Sequence, residues 1–359
     1  MTAPTDTPAA SAPPFPPAKI YELSTAFWHS KMLVSASELG VFGQLAEGPA
    51  TAAELADRLS LKSPALPEFL DALAAMGMLE RDGGAYRNGP EADYYLVPGR
   101  RYFMGTYLGF VDRFMRPTWE GLAEVMRTGT PQIPHPPQGP QGDAPQGEGE
   151  EFFEQTYADP QLQRMFVEAQ DALSSELAWE LSRRIDWSGR TDVVDLGGAR
   201  GNVAGILLQA HPHLTGTVFD MPPLRPLFDE HMARLGVADR ARYQGGDWFA
   251  DPLPEGGTLL CGHALHNWTT EQRRTVIGKA FEAVRPGGAF MVYDLMFDDE
   301  RGRLNPLLLS LAMTLSVGGS GYSAAECVRW MEDAGFTGVE TVALQDYDGH
   351  TVVIGHKPE

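Results

Sequence analysis

A long first helix is predicted between Lys19 and Val41, because apolar residues recur there at helical spacing and no Pro or Gly intervenes before Gly40. The apolar positions are Ile20, Leu23, Phe27, Leu33 and Leu39. Upstream, residues 1–17 are mainly Ala, Pro, Thr and Ser, which predicts a disordered N-terminus.

The pattern after Gly40 predicts two short helices and a hairpin. Thr51 and Glu54 have the spacing of a capping box, and Ser63 followed by Pro64 is expected to cap and open the next helix. The segment MLERDGGAYRNG is predicted to form a small β-hairpin around Asp82-Gly83-Gly84. Together these elements predict a mainly helical winged-helix domain over residues 18–105.

Residues 106–186 are predicted to form a helical connector. Helical spacing continues to about Arg127 and resumes from Phe152 to Ile185, with a break near Pro160. Between them, residues 131–151 are almost all Pro, Gly, Gln and acid, so they are expected to form a mobile loop.

From about Trp187 to the C-terminus, short apolar strands alternate with helices. This alternation predicts right-handed βαβ units and a parallel sheet covered on both faces, an α/β fold over residues 187–359. The predicted strands include TDVVDL, TGTVFD, ARYQG, TLLCG, AFMVYDL, a strand at Gly338–Leu344 and HTVVIGHK, with a helix at Ala324–Ala334 before the last two.

Charge and cysteine content narrow the classes of partner. Lys and Arg number 28 against 48 Asp and Glu, a net charge of −20, which disfavours nucleic acid and anionic membranes. A winged helix can read DNA, but the presumed recognition helix Ala65–Met76 has no Lys or Arg. Two cysteines, no apolar run long enough to span a bilayer and no signal peptide predict a cytoplasmic protein.

A glycine-rich loop, Asp195-Leu196-Gly197-Gly198-Ala199-Arg200-Gly201, follows the first predicted strand of the α/β half. Its spacing is tighter than the dinucleotide fingerprint, and no Lys-Ser/Thr pair follows it as in a P-loop. Asp220 ends the second strand, where an acid can bind ribose hydroxyls, and Gly246-Asp247-Trp248 follows the third. All three segments stand at carboxyl ends of strands, where open sheets bind ligands.

The second half of the chain resembles class I S-adenosylmethionine (SAM)-dependent methyltransferases. From Lys19 onward the chain resembles two-domain small-molecule O-methyltransferases of the caffeic-acid and hydroxyneurosporene type, which dimerise through a winged-helix domain. The most specific elements are the glycine loop, FDMP (Phe219–Pro222), GDWF (Gly246–Phe249), HNW (His266–Trp268) and RPGG (Arg285–Gly288). The resemblance implies a SAM site, a small-molecule acceptor and a homodimer.

The resemblance assigns roles to individual residues. The glycine loop would face the methionine part of SAM, Asp220 would bind the ribose, and Asp247 and Trp248 would flank the adenine. The implied cofactor site comprises Asp195, Gly197, Gly198, Gly201, Asp220, Met221, Gly246, Asp247 and Trp248.

The same resemblance implies two catalytic residues. His266 would be the general base that deprotonates the acceptor, a task suited to the ordinary pKa of histidine. Asp294, at the end of AFMVYD, would orient its imidazole. His263 also lies nearby and is interpreted as structural. A metal site of His263, His266 and Asp294 is chemically conceivable, but no metal is predicted.

The chain departs from the family pattern at several positions. Ala199 replaces the middle glycine of the loop, Asn267 replaces Asp in HDW, and Gly262 replaces a basic residue of plant members. Gly321 stands where plant members carry a second acid, so that base support is incomplete and Tyr322 is expected to contact the acceptor. The predicted acceptor pocket comprises Phe153, Met165, Phe166, Trp268, Met313 and Tyr322.

The sequence therefore predicts a SAM-dependent methyltransferase that acts on a hydroxylated aromatic metabolite, with S-adenosylhomocysteine (SAH) as product. O-methylation in bacterial secondary metabolism is ranked first and C-methylation of a phenolic ring second. A third interpretation keeps the fold and SAM but assigns non-methylating chemistry, since a fold does not determine a reaction.

Overall fold

The computed structural model describes residues 15–131, 149–344 and 350–359. The chain divides into two compact units, the first ending at Pro98 and the second beginning at Gly99. The predicted boundary after residue 105 is therefore seven residues too late, and the helices of the predicted connector belong to the second unit. The predicted disorder of 1–17 and the predicted loop at 131–151 fall largely outside the described residues.

The first unit is mainly helical, with a small three-stranded sheet in the order β1-β3-β2. Its elements are α1 (Ala18–Glu38), α2 (Val41–Leu45), β1 (Ala50–Thr51), α3 (Ala52–Leu59), α4 (Leu66–Ala75), β2 (Leu79–Asp82), β3 (Ala85–Asn88) and α5 (Pro90–Tyr95).

Local signals in this unit act mostly as predicted. Gly40 adopts φ +77 and separates α1 from α2, and Thr51 with Glu54 forms a capping box at α3. Gly83 and Gly84 make the two-residue turn between β2 and β3. The predicted start of α4 at Ser63-Pro64 is wrong by two residues, because Ser63 caps a turn over 64–65 before the helix begins.

Helix α1 leaves large apolar side chains exposed within its own unit. Ile20, Tyr21, Leu23, Phe27 and Trp28 are each at least 60% exposed. A face of this size on a helix is typical of a surface that a protein partner covers.

The second unit opens with helices and continues as an alternating α/β chain. Its helices are α6 (Gly105–Phe110), α7 (Arg116–Glu120), α8 (Leu122–Thr128), α9 (Gly149–Ala158), α10 (Pro160–Arg184), α11 (Asn202–Ala210), α12 (Arg225–Leu235), α13 (Thr270–Ala283), α14 (Leu304–Ser316) and α15 (Ala324–Ala334). A π-helical turn at Val111–Met115 joins α6 to α7. Asp159 caps α10 and Pro160 occupies its first turn, which explains the predicted break.

A seven-stranded sheet lies at the centre of this unit, in the order β6-β5-β4-β7-β8-β10-β9. The strands are β4 (Asp192–Leu196), β5 (Thr215–Asp220), β6 (Ala241–Gly245), β7 (Gly256–Gly262), β8 (Val284–Leu295), β9 (Thr337–Ala343) and β10 (His350–His356). Strand β10 pairs antiparallel with both β8 and β9, and the other neighbouring pairs in this sheet are parallel. The α/β prediction is confirmed, but the sheet is mixed rather than purely parallel.

Two apolar cores cover the two faces of the sheet, one built with α10 to α12 and the other with α13 and α15. Helix α14 was not predicted, although the apolar run Leu307–Leu309 signals it. Among the described residues, no helix is long and apolar enough to cross a membrane.

Candidate active site

The glycine loop follows β4 in a conformation that depends on left-handed backbone. Gly197, Ala199 and Gly201 adopt φ of +69, +50 and +80. A Cβ on Gly198 would lie 2.6 Å from Oδ2 of Asp195, so only glycine fits there. Ala199 fits in the loop, but its positive φ is a conformation that L residues rarely adopt.

Asp220 connects the end of β5 to this loop. Its Oδ2 accepts a hydrogen bond from the backbone N–H of Ala199 at 2.8 Å, and its Oδ1 accepts one from Met221 at 2.7 Å. Burial raises the pKa of Asp220 to about 6, against the opposing effect of these two N–H donors. The carboxylate therefore holds the loop while it remains part of the cavity wall.

Asp195 is a buried acid without a hydrogen-bond partner at one oxygen. It is 1% exposed, and among the described residues nothing bonds to its Oδ2. Burial raises the pKa of Asp195 to about 7, and the nearby Asp220 carboxylate adds to the rise. A buried acceptor of this kind at a cavity wall is suited to a cationic ligand group.

A buried ion pair that was not predicted from the sequence ties the glycine loop to α10. Arg200 is 4% exposed, and its Nε donates to Oδ2 of Asp171 at 2.7 Å. Its Nη1 lies 3.3 Å from Oε1 of Glu168. The only sequence signal was an arginine inside a glycine loop, with acids one turn apart on a long helix.

The segment after β6 brings an aromatic ring to the glycine loop. A Cβ on Gly197 would lie 3.2 Å from Cζ3 of Trp248, so the indole covers the loop closely. Oδ1 of Asp247 accepts from the N–H of Phe249, and Nζ of Lys279 donates to the carbonyl of Asp251 at 2.6 Å. Lys279 thus stabilises the turn that presents Asp247 and Trp248.

These segments line one cavity of about 530 Å³. Its described lining contains six acids (Glu154, Asp171, Asp195, Asp220, Asp247 and Asp251) and no Lys or Arg. The rest is rich in aromatic and apolar side chains, including Tyr107, Phe110, Phe152, Phe153, Tyr157, Phe166, Trp248, Trp268, Tyr293, Leu309 and Met313. The cavity thus has an acidic part and an aromatic part.

Most of the predicted site residues line this cavity, but four do not. Gly201 is the left-handed N-cap of α11, and a Cβ there would meet Val218 and Phe228 in the core. Met165 is partly buried and packs against the apolar cluster that includes Phe110 and Phe166 of the wall, but is not itself in the lining. Asp294 and Tyr322 are 1% and 2% exposed and lie outside the lining. The expectation that Tyr322 contacts the acceptor is therefore wrong.

His266 lies on a 3-10 turn, Leu265–Asn267, between β7 and α13. Its Nδ1 is 2.7 Å from Oδ1 of Asp294, and Nε2 has no hydrogen-bond partner among the described residues. Burial alone would raise the pKa of Asp294, but the neighbouring imidazoles and the hydrogen bonds from His266 and Tyr322 hold it well below its usual range. An ionised Asp294 can only accept, so Nδ1 carries the proton and Nε2 is the basic nitrogen.

His263 also lines the cavity and lies 3.8 Å from Asp294. Burial lowers the pKa of His263 to about 3, against the pull of Asp294, so it stays neutral. His263, His266 and Asp294 bring one ligand atom each within 4.8 Å of one another, a spacing that would also suit a metal ion.

Tyr293 fills the space of the basic residue that Gly262 replaces. A Cβ on Gly262 would lie 1.9 Å from the Tyr293 ring, so any larger side chain is excluded while Tyr293 keeps this position. The glycine and the tyrosine therefore form a pair, which no local sequence pattern predicts because 31 residues separate them.

Comparison with known proteins gives two family matches. Residues 119–337 match the O-methyltransferase domain, and residues 21–98 match the O-methyltransferase dimerisation domain. The chain belongs to the O-methyltransferase family. It is a SAM-dependent methyltransferase whose first domain forms a homodimer, and the exposed apolar face of α1 fits that assignment.

Three relatives illustrate the match. The tetracenomycin polyketide synthesis 8-O-methyl transferase TcmO of Streptomyces glaucescens is 43% identical, over 95% of this chain and 97% of that protein. The N,N-dimethyltransferase OxyT of Streptomyces rimosus is 39% identical, over 94% and 96%. The structure of human N-acetylserotonin methyltransferase in complex with SAM superposes with a TM-score of 0.84 at 24% identity, over 95% and 97%.

The cavity fits SAM on its own chemistry. SAM carries a cationic sulfonium and an ammonium group, and the acidic wall with its unpartnered Asp195 oxygen is complementary to that charge. The tight glycine loop leaves backbone accessible, and Trp248 offers a ring face for a purine.

Asp195→Asn should stabilise the ligand-free enzyme at pH 8. The folded pKa of Asp195 is raised from 3.8 to about 7, so its contribution to stability is complete below about pH 4 and lost as pH rises through 7. The expected gain is at most about 4 kcal/mol at pH 8 and smaller at pH 5.5. Urea unfolding without SAM measures it, with the exposed Asp239→Asn as control. An equal stability difference at both pH values would contradict the burial argument.

Proposed function

We propose that this enzyme transfers a methyl group from SAM to a phenolic hydroxyl of a fused-ring aromatic metabolite, with His266 as general base. The reaction would be a tailoring step in the assembly of a bacterial polyketide antibiotic. The relation to TcmO, over nearly the full length of both chains, supports this class of pathway.

The observation that carries the proposal is the His266–Asp294 pair at the wall of an aromatic cavity. Nδ1 of His266 is engaged at 2.7 Å by a buried carboxylate, so Nε2 is the nitrogen left to receive a proton from a ligand. A phenol has a pKa near 10 and is a weak nucleophile at neutral pH, so removal of its proton accelerates attack.

Each part of the cavity then has a role. Phe153 and Trp268, with ring centroids 6.2 Å apart, and Phe166 offer flat apolar surfaces for fused rings. His266 takes the hydroxyl proton at Nε2, and Asp294 stabilises the imidazolium that results. When bound, SAM supplies an electrophilic methyl group to the acceptor oxygen. The bond from sulfur to that methyl group breaks, and the sulfonium becomes the thioether of SAH.

The acidic part of the cavity is proposed to hold SAM. Asp220 would accept from the ribose hydroxyls, Asp195 and the loop Gly197-Gly198 would face the amino-acid part, and Asp247 and Trp248 would flank the adenine. Met221 and Gly246 complete this wall. Because both oxygens of Asp220 already anchor backbone N–H groups, the same residue would couple loop shape to ribose binding.

Product analysis tests the reaction. Full-length enzyme is incubated with SAM and 1,3-dihydroxynaphthalene, and the product is examined by mass spectrometry and carbon NMR. We expect a methoxy carbon and one equivalent of SAH. 1,3-Dimethoxynaphthalene, which lacks a free hydroxyl, is the matched control and should not react.

Two other products would overturn parts of the proposal. A phenolate is also nucleophilic at its ortho carbons, so an aryl-methyl carbon would establish C-methylation, and acceptor orientation would then decide the outcome. Because OxyT is named as an N,N-dimethyltransferase, an aminonaphthalene that competes better than the naphthol would indicate nitrogen as the acceptor atom.

We also propose that the enzyme works in the cytoplasm. Cys261 and Cys327 are both free and buried, which suits a reducing compartment.

A further inference from the structure

Position 321 has no room for a supporting acid. A Cβ on Gly321 would lie 2.5 Å from Cζ of Phe297 and 3.0 Å from Cβ of Ser310. The N–H of Gly321 donates to Oγ of Ser310 at 2.8 Å, which holds the segment in this position. The Glu that plant members carry here is therefore replaced by packing, and support for the base must come from elsewhere.

Asp294 receives three hydrogen bonds from described residues. Oδ1 accepts from Nδ1 of His266 at 2.7 Å and from the N–H of Leu295 at 2.8 Å. Oδ2 accepts from the hydroxyl of Tyr322 at 2.9 Å. Tyr322 is thus the side chain that fixes the far oxygen and prevents rotation of the carboxylate away from His266.

Tyr322 is itself fixed by a buried cation. The guanidinium of Arg273 lies 4.9 Å from the centroid of the Tyr322 ring. The centroid of the Trp330 ring lies 5.4 Å from that of Tyr322. Arg273 is 1% exposed, on α13. A desolvated cation over an aromatic face is an attractive contact, so the ring cannot swing without breaking it.

Arg273 also joins the two segments that carry the base. Its Nε donates to the carbonyl of Leu265 at 2.8 Å, one residue before His266. Its Nη2 donates to the carbonyl of Ser320, two residues before Tyr322. The N–H of Ser320 in turn donates to the carbonyl of His266 at 2.9 Å. The turn of His266 and the segment of Tyr322 are therefore held in one network.

We propose that Tyr322, locked by Arg273, is the positioning residue that takes the place of the missing acid at Gly321. It holds Oδ2 of Asp294 so that Oδ1 faces Nδ1 of His266, and the base keeps its proton on Nδ1 and its lone pair on Nε2. The inference rests on the proposed function in that it takes His266 as the base.

The test compares Tyr322→Phe with Tyr86→Phe in the full-length enzyme. Tyr86 is a matched control, since it is a buried tyrosine of the first unit whose hydroxyl also donates to a carboxylate, that of Asp71, at 2.7 Å. Nitrogen-15 NMR of histidine-labelled protein, assigned with His266→Gln, reports which ring nitrogen of His266 carries the proton. Turnover of 1,3-dihydroxynaphthalene and calorimetry with SAH complete the comparison.

Tyr322→Phe should lower kcat about tenfold, leave the affinity for SAH within twofold, and shift His266 toward the Nε2–H tautomer. Tyr86→Phe should change none of these. Should Tyr322→Phe fail to fold, Arg273→Lys, which keeps the charge but cannot donate to both Leu265 and Ser320, is expected to shift the same tautomer.

The inference is overturned if His266 keeps the Nδ1–H form in Tyr322→Phe, whether or not kcat falls. If Tyr322→Phe does not fold, the same result in Arg273→Lys overturns it. If wild-type enzyme does not methylate the naphthol, the proposed acceptor class fails, while the NMR comparison still decides the role of Tyr322.

Discussion

Replacing His266 by alanine is expected to lower kcat by about 10²–10⁴ and to leave the affinity for SAM unchanged. Because Nδ1 of His266 is hydrogen-bonded to Asp294, Nε2 is the ring nitrogen that remains to accept a proton in the cavity. Alanine removes this proton acceptor. His266 is separate from the acidic wall proposed for SAM. Steady-state rates with 1,3-dihydroxynaphthalene and calorimetry with SAM measure the two effects.

His263→Asn is the matched control, since His263 lines the same cavity but remains neutral and lies 3.8 Å from Asp294. Its φ of +49 also suits asparagine. This variant should lose less than tenfold in kcat. If His263→Asn were slower than His266→Ala, the assignment of His266 as the base would be wrong. If a chelator abolished turnover of the wild-type enzyme, a metal site at His263, His266 and Asp294 would be indicated instead.

The second large effect is expected at Asp220. Asp220→Ala should weaken SAM binding by about 1.5–3 kcal/mol, or roughly 10- to 100-fold in Kd. Two losses combine: the acceptor proposed for the ribose, and the anchor for the N–H groups of Ala199 and Met221. Calorimetric titration with SAM and with SAH measures the change.

Asp220→Asn separates the effect of the negative charge from that of the loop conformation, because asparagine keeps one acceptor oxygen for the loop N–H groups. Its affinity should fall between those of wild type and Asp220→Ala. Asp229→Ala, at an exposed acid on α12, controls for net charge. Unchanged affinity for SAM in Asp220→Ala would remove Asp220 from the cofactor site.

Much of the fold was readable from local pattern. Capping boxes, prolines at helix starts and glycines with positive φ act within a few residues, so Thr51 and Pro160 marked helix starts and Gly40 a helix end close to their observed positions. The start of α4 was misplaced because a turn competes with the cap at Ser63. Helix α14 was missed because its apolar run alone does not distinguish helix from strand.

The candidate site was predicted in part. The glycine loop, Asp220 and Asp247 follow strands whose carboxyl ends meet at one edge, so their convergence in one cavity follows from the sheet. Gly201 and Met165 were assigned to the site because motif membership does not say which side of a loop or helix faces the ligand. In the tertiary structure Gly201 borders the core, and Met165 packs against the aromatic side chains of the wall without lining the cavity.

Several features follow from the sequence alone: the fold class, the acidic charge, the order of elements apart from helix α14, and the positions of the glycine loop and of His266. Those features depend on neighbours in the chain and on strand-end topology. The roles of Tyr322, Arg273, Arg200 and Tyr293 depend instead on contacts made by the folded chain. Three of them act through a partner at least 28 residues away, such as Asp171 for Arg200 and Asp294 for Tyr322. Arg273 acts by joining two segments, because it donates both to Leu265 and to Ser320. Such pairs form because buried polar groups must find partners wherever packing brings them together.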